Sequence, residues 1–241
     1  NRNPEVNELY SNGLHQGVSG IELGEIALRP EQSLKGTLSL KGKVKNKLFF
    51  EVLGYYQAIE DYIFLNPSNE VRLTIRGAFP VFKYEQTNAS IYGLDFSTIY
   101  QITSQLETKI QYSYLKGDDN SQGIPLIFMP ANNIYGALTY DVKNWRLGRS
   151  KLENIELQLN NRFVFEQTHI LPEQDFIQPP KAYHLIGAKV SLERQAGKFR
   201  FNFYARAENI LNMVYRDYLN RQRYFADDLG VNIIAGINVK F

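Results

Sequence analysis

The sequence VNIIAGINVKF, at residues 231–241, alternates apolar and mostly polar side chains with a period of two residues. Val231, Ile233 and Ala235 belong to the apolar row, whereas Asn232 belongs to the other row. Successive side chains of a β-strand point to opposite faces of the sheet. The pattern therefore predicts a strand with one apolar and one polar face.

The same alternation recurs upstream, for example where Phe199, Phe201 and Phe203 alternate with Arg200 and Asn202. A helical stripe requires a spacing of three and four residues, so these segments are interpreted as strands. Nine strands are predicted, at residues 32–42, 46–64, 84–103, 106–117, 131–143, 151–168, 181–194, 198–211 and 230–241. The fold class is therefore all-β and antiparallel.

Composition excludes several classes of protein. The chain has 241 residues, which suits one large all-β unit or two small domains. Its formal charge of +2 does not provide the basic face that nucleic-acid binding requires. It has no run of roughly 18 apolar residues, so any passage through a bilayer would use strands. The absence of Cys excludes disulfides and thiolate metal sites.

The predicted connections differ in length in a regular way. Short connections lie at residues 43–45, 104–105, 144–150 and 195–197, and long ones at residues 65–83, 118–130, 169–180 and 212–229. Because they alternate along an antiparallel sheet, the long loops should lie together at one end. Outer-membrane β-barrels have this arrangement, with short periplasmic turns and long extracellular loops. A soluble barrel with its apolar face inward remains the alternative interpretation.

An odd number of strands predicts that the barrel is incomplete. Bacterial single-chain barrels have even strand numbers, and an open sheet in lipid would leave unpaired backbone groups at its two edges. Residues 1–241 are therefore expected to form the C-terminal part of a larger transmembrane barrel.

Several motifs resemble TonB-dependent outer-membrane receptors, and more narrowly the receptors for zinc and haem. They are RNPEVNELYSNGLHQG at residues 2–17, IELG at 21–24, LRPEQS at 28–33, DYIFLNP at 61–67, FPVFKY at 79–84 and NILN at 209–212. The resemblance implies a 22-stranded barrel in the outer membrane of a Gram-negative bacterium. It also implies uptake of zinc, haem or ferric siderophore, driven by the TonB complex through an N-terminal plug.

Neither a plug domain nor a TonB box is identifiable in residues 1–241. The terminal aromatic residue, Phe241, resembles the signal that the barrel-assembly machinery recognises, although it also suits an ordinary lipid-facing position. The partners expected are therefore outer-membrane lipid, that machinery, the TonB complex through the missing plug, and the transported metal.

A metal ligand set is predicted around His15, because imidazole and carboxylate together suit zinc. Glu8 and Glu22 are the nearby carboxylates in sequence. The alternative is that His15 is a loop histidine bonded to backbone. The other two histidines fit less well, since His169 is expected to be a solvated loop residue and His184 a structural strand residue.

Other functions remain open from the sequence. Seven acidic residues could make the barrel mouth attractive to cations, or could merely solvate loops: Glu25, Glu31, Asp61, Asp118, Asp119, Asp227 and Asp228. No catalytic motif and no resident cofactor site is recognisable. A passive porin is the second hypothesis. A barrel hydrolase that uses His169 with Asp175 is the third.

Overall fold

The computed structural model describes residues 1–147 and 150–241 and is built almost entirely from strands. No helix in these residues is both long and apolar enough to cross a membrane. The elements are α1 (Val6–Tyr10), β1 (Asn12–His15), β2 (Gly20–Leu23), β3 (Gln32–Val44), β4 (Leu48–Thr74), β5 (Gly77–Gln101), β6 (Leu106–Asp119), β7 (Ile124–Pro125), β8 (Asn133–Leu147), β9 (Ser150–Val164), β10 (Tyr183–Ala196), β11 (Phe199–Glu208) and β12 (Asn232–Lys240), with 3₁₀ turns at Gln16–Val18 and Arg221–Tyr224.

The nine predicted strands are confirmed as β3, β4, β5, β6, β8, β9, β10, β11 and β12. Each pairs with its neighbour in antiparallel register. Three short strands were not predicted, because β1, β2 and β7 have only two to four residues and show no periodic pattern. Of these, β2 adds in parallel to the free edge of β5.

The sheet is open within the described residues. It runs in order from β3 through β12, with β3 paired only to β4 and β12 paired only to β11. The expectation of a partial barrel agrees with this topology, since a closed barrel would have no such edges.

Register places the apolar side chains on one face across many strands. One continuous row joins Leu40, Val52, Phe96, Tyr112, Ile134 and Phe163. A second row joins Tyr140, Leu157, Val190, Ala205 and Ala235. Many of these side chains are exposed, and Leu157, for example, is 46% exposed. This apolar face has the exposure expected of a surface that meets lipid.

The opposite face is polar and contains ion pairs and hydrogen bonds between strands. Lys189 Nζ donates to Glu156 Oε1 at 2.8 Å. Asn202 Nδ2 donates to Ser191 Oγ at 3.1 Å. Arg162 and Lys189 would be costly at the middle of a bilayer, by roughly 2–4 kcal/mol each on the lipid side. Their position on the polar face therefore fits an aqueous lumen.

Aromatic residues mark two levels on the apolar face. On β5, Tyr92 and Tyr100 are eight residues apart, which is about 26 Å along a strand or roughly 20 Å after the usual barrel tilt. Tyr92 stacks on Tyr56 of β4, with ring centroids 6.5 Å apart. The spacing is close to the height of the apolar band in outer-membrane barrels, roughly 25 Å.

The alternation of long and short connections is confirmed where the structure describes it. Short turns follow β3, β5 and β10, whereas long segments follow β6, β9 and β11. The predicted short connection at residues 144–150 includes residues 148 and 149, which lie outside the described residues. Loops and turns thus lie at opposite ends of the strands, and "loop end" denotes the end with the long segments.

One predicted loop was wrong. Residues 65–83 are not a loop, because β4 and β5 continue far beyond β3 and β6 as a long hairpin. Pro67 and Asn69 lie at a register shift in β4 that the ladder accommodates. The actual turn is at Ile75 and Arg76, where Thr74 Oγ1 accepts the Arg76 N–H and Gly77 has a φ of +130°.

The two faces can be distinguished in a membrane by spin labels at positions 201 and 202 of the complete protein. We expect a lipid-soluble relaxation agent to reach a label at Phe201 much better than one at Asn202, because only the first lies on the apolar face. A water-soluble agent should show the opposite preference. Equal accessibility of the two labels would contradict the assignment of the faces.

Candidate functional site at the loop end

The long segments at the loop end pack into one unit that we call the loop cap. Its centre is an aromatic cluster in which Phe82 is fully buried. The rings of Phe82 and Phe176 meet edge to face, with centroids 5.4 Å apart. Phe128 and Tyr224 contact the same Phe82 ring at 6.3 and 6.1 Å. Four separate segments of the chain therefore share this core.

A buried ion pair lies beside the aromatic cluster. Arg223 is fully buried and donates to the carboxylate of Asp175. Its Nε donates to the carbonyl oxygen of Tyr218 at 3.0 Å, and its guanidinium lies 4.9 Å from the ring centroids of both Tyr218 and Tyr224. Burial and the charge of Asp175 raise the pKa of Tyr224, so its hydroxyl stays protonated and donates to Asp175.

The N-terminal segment is fastened by a different set of charges. Arg2 donates to both oxygens of Glu31 at 2.8 Å and to Glu8 at 3.0 Å. Glu8 also accepts the backbone N–H of Glu5 at 2.7 Å, which completes a capping box at the start of α1. The role of Glu8 in the described structure is therefore to hold the N-terminal segment.

His15 and Glu22, by contrast, are brought together. The strands β1 and β2 form a small hairpin, and His15 Nδ1 lies 3.2 Å from Glu22 Oε1. The side chain of His15 is 58% exposed, whereas that of Glu22 is 6% exposed. His15 Nε2 has no hydrogen-bond partner among the described residues. The structure thus gives His15 a carboxylate that fixes its ring and leaves the second nitrogen open.

Glu22 has two further partners that the sequence did not reveal. Arg221 Nη2 donates to Glu22 Oε1 at 2.8 Å, and Tyr84 Oη donates to Oε2 at 3.2 Å. Burial alone raises the pKa of Glu22, but the hydrogen bonds and charges of Arg221 and His15 outweigh it and lower the pKa. Since both oxygens are occupied, Glu22 is placed to orient His15 rather than to bind a metal directly.

The predicted set of His15, Glu8 and Glu22 is therefore only partly assembled. In residues 1–147 and 150–241, no group of three His, Asp or Glu side chains is close enough to hold a metal ion. A metal at His15 would need its remaining ligands from outside the described residues or from the cargo itself.

The other candidate residues have structural partners. His169 Nε2 lies 2.6 Å from Asp118, whereas Asp175 is bound to Arg223. The structure therefore does not pair His169 with Asp175, and the hypothesis of a barrel hydrolase that uses these two residues is wrong. His184 lies on β10, as predicted.

The acidic residues at the loop end are also engaged within the fold. Asp61 pairs with Arg29, and Asp227 pairs with Arg216 at 2.6 Å. Asp119 accepts the backbone N–H groups of Ser121 and Gln122. Glu31 is bound to Arg2, and Asp228 accepts from the Asp217 N–H. These contacts favour the interpretation that the acidic residues organise loops.

Removing Arg223 should destabilise the loop cap. Replacement by Met leaves the Asp175 carboxylate buried without its counter-charge, which typically costs about 3–5 kcal/mol. We expect residues 169–180 and 212–229 of the Arg223→Met variant to become sensitive to limited proteolysis while the strands stay protected. Arg76→Met, at the exposed hairpin tip, is the control and should behave as the unsubstituted protein. Equal protease resistance of both variants would contradict the role of the buried pair.

Acid should loosen the contact between β2 and the segment 212–229. Folding lowers the pKa of Glu22, so its ionised carboxylate stabilises the folded state fully above the ordinary carboxyl pKa of about 4.5. This stabilisation is lost as the pH falls through the lower native pKa. Spin labels at Gly13 and Leu219 should therefore keep a narrow distance distribution near pH 5–7 that broadens in stronger acid. Arg221→Met should give a broad distribution already at pH 5–7, with little further change in acid, because it removes the partner of Glu22. A pH response unchanged by this substitution would contradict the ion pair.

Comparison with protein families identifies one match. The family model described as "TonB dependent receptor-like, beta-barrel" matches residues 1–210. No curated protein matches the chain.

Solved structures with the same fold include three metal-uptake proteins, each less than 20% identical to the chain. The copper transporter OprC has 18% identity and a TM-score of 0.73, over 97% of this chain and 35% of that protein. The FrpB iron transporter from Neisseria meningitidis (F5-1 variant) has 16% identity and a TM-score of 0.64, over 92% and 33%. A mutant of the ferric enterobactin receptor PfeA from Pseudomonas aeruginosa has 12% identity and a TM-score of 0.60, over 98% and 36%. The chain therefore spans about one third of the length of these structures.

Proposed function

The chain belongs to the TonB-dependent receptor β-barrel family, and we propose that it is part of an outer-membrane receptor for energy-coupled uptake of a metal ion or metal complex. The main support for this proposal is the family match over residues 1–210. The sheet agrees with it, because it has one continuous apolar face and one polar face. Structural neighbours named as copper and iron transporters support a metal as cargo.

The faces and the two ends of the sheet would have different roles in such a receptor. The apolar face would lie in the outer membrane of a Gram-negative bacterium, with the loop cap on the extracellular side. Coupling to the TonB complex would run through a plug domain that is not part of residues 1–241. Assembly would use the terminal Phe241, whose side chain is almost entirely exposed.

His15 is the residue of this chain that we assign to the metal. Its Nδ1 contacts Glu22, so its open Nε2 would point an oriented lone pair toward the cargo. A single protein ligand suits a transporter, because a metal held by a complete set of protein ligands is released slowly. The proposed cargo is zinc, haem or a ferric siderophore. Of these, zinc and haem iron can each accept an imidazole ligand.

A passive porin is the alternative function. A porin would need no energy, and its loop end would leave an open water path. The buried aromatic core of the loop cap, with Phe82 and Arg223 both fully buried, favours a receptor with a closed loop end.

Uptake experiments on the complete protein would test both the coupling and the role of His15. We expect metal-limited growth to depend on the proton-motive force and on TonB, and His15→Ala to lower metal binding by roughly tenfold in calorimetry. His184→Ala, on the strand β10, is the matched control and should bind normally. Zinc-limited, haem-limited and siderophore-limited growth should be compared, because loss of only one of them identifies the cargo.

Two outcomes would contradict this proposal. Uptake that persists without TonB or energy would identify a porin. Normal metal binding by His15→Ala would show that His15 is a loop histidine held by Glu22 alone.

A further inference from the structure

A small recess lies at the loop end, between the long hairpin of β4 and β5 and the segments 118–130 and 169–180. Its volume is about 200 Å³, so it can hold a small molecule, since a single water takes up only about 30 Å³ in the liquid. Among the described residues that line it are two carboxylates, Asp119 and Glu173, and no Lys, Arg or His. We call it the acidic recess.

Asp119, at the end of β6, is the buried carboxylate of the acidic recess and is only 2% exposed. Its Oδ1 accepts a hydrogen bond from Thr87 Oγ1 at 2.5 Å and from the backbone N–H groups of Ser121 and Gln122 at 2.9 and 3.0 Å. Its Oδ2 has no hydrogen-bond donor among the residues that the structure describes. One oxygen therefore holds the turn after β6, and the other is free.

The charge of Asp119 is also without a counter-charge. The preceding residue, Asp118, pairs with His169 at 2.6 Å, but no Lys, Arg or His side chain in the described part of the chain lies within 4 Å of the Asp119 carboxylate. Lys83, on the neighbouring stretch of β5, is held by Glu70 at 3.0 Å. Buried charges in proteins are normally paired. The unpaired carboxylate therefore indicates that a cation from outside the described residues binds here.

The lining of the acidic recess combines negative charge with apolar surface. Glu173 adds an exposed carboxylate, and the amides of Asn69 and Gln122 add neutral acceptors. Phe64 and Ile124 are among its apolar residues. A calcium ion takes about six to eight oxygen ligands, which apolar walls do not supply. An ammonium group on an alkyl chain suits both parts of the lining, because the ammonium donates hydrogen bonds and the alkyl chain prefers apolar contacts.

We propose that the acidic recess binds an alkylammonium group, with Asp119 Oδ2 as its buried acceptor and Glu173 as the second carboxylate at the rim. The group belongs either to a free amine or to a lysine side chain from another segment or protein, and both sources present the same chemistry. The inference goes beyond the proposed function and does not rest on it, because neither His15 nor Glu22 lines the recess.

Calorimetry on the purified complete protein would test the proposal, with 1,5-diaminopentane as the probe. The neutral analogue 1,5-pentanediol and calcium chloride are the comparison probes. We expect the diamine to bind and the other two not to bind at this site. Asp119→Asn should lower the affinity for the diamine by tenfold or more, because it removes the charge and replaces Oδ2 by a donor that an ammonium group cannot use.

The variants are chosen so that loss of binding can be separated from loss of folding. The asparagine in Asp119→Asn keeps an Oδ1 that can accept from Thr87 and from the turn, and the variant should retain the heat-resistant barrel form. Glu173→Gln, at an exposed position, should lower the affinity severalfold, because solvent screens its charge. Glu25→Gln, at another exposed position of the loop end, is the matched control and should bind the diamine normally.

A carbodiimide, which joins carboxylates to amines, distinguishes the two sources of the ammonium group. Crosslinking of Glu173 to a lysine in the complete protein, lost in Glu173→Gln, would support a lysine side chain as the occupant, whereas binding of the diamine without such a crosslink would support a free amine. Absence of both would overturn the proposal. So would an affinity for the diamine that Asp119→Asn leaves unchanged, an equal loss in Glu25→Gln, or calcium binding that depends on Asp119.

Discussion

Backbone hydrogen bonding in a bilayer is the constraint on which the rest of this structure depends. No water is available there to satisfy a free N–H or C=O group, so a chain that crosses as strands must pair each strand with its neighbours. The ladders from β3 through β12 meet this requirement over nine long strands. Because pairing fixes which residues are neighbours, it also gathers the apolar side chains on one face and the charged ones on the other.

The loop cap follows a different rule. Its segments lie mostly outside the strand ladders, so they are stabilised by a separate core in which the rings of Phe82, Phe176 and Tyr224 pack together. Within this core, the ion pair of Arg223 and Asp175 must stay intact, because either charge would strongly destabilise the fold if it were buried without the other. Strands β2 and β7 are small extensions of the sheet: β2 fixes the cap to β5 of the long hairpin, and β7 pairs with the end of β6.

The arrangement around His15 depends on a contact between segments that are distant in sequence. His15 Nδ1 lies 3.2 Å from Glu22 Oε1, and Arg221, from the segment that follows β11, donates to the same oxygen at 2.8 Å. Glu22 is therefore fixed from both sides, and it orients the imidazole ring through Nδ1.

The sequence by itself determined the strands and their faces, because a period of two residues is a local property that residues such as Val231 and Phe201 carry without reference to any partner. It also indicated the class of the protein, through the alternation of short and long connections and through the motifs that resemble TonB-dependent receptors. It failed at residues 65–83, which were predicted as a loop although β4 and β5 continue through them, with a register shift after Pro67.

Only the tertiary structure decided which charged groups meet. Glu8 lies seven residues from His15 in sequence yet is bound to Arg2, while Arg221, 199 residues away from Glu22, donates to it at 2.8 Å. Lys189 and Arg206 likewise face each other only because β10 and β11 pair in one register. Charge contacts of this kind depend on which segments pack together, and no local period in the sequence encodes that choice.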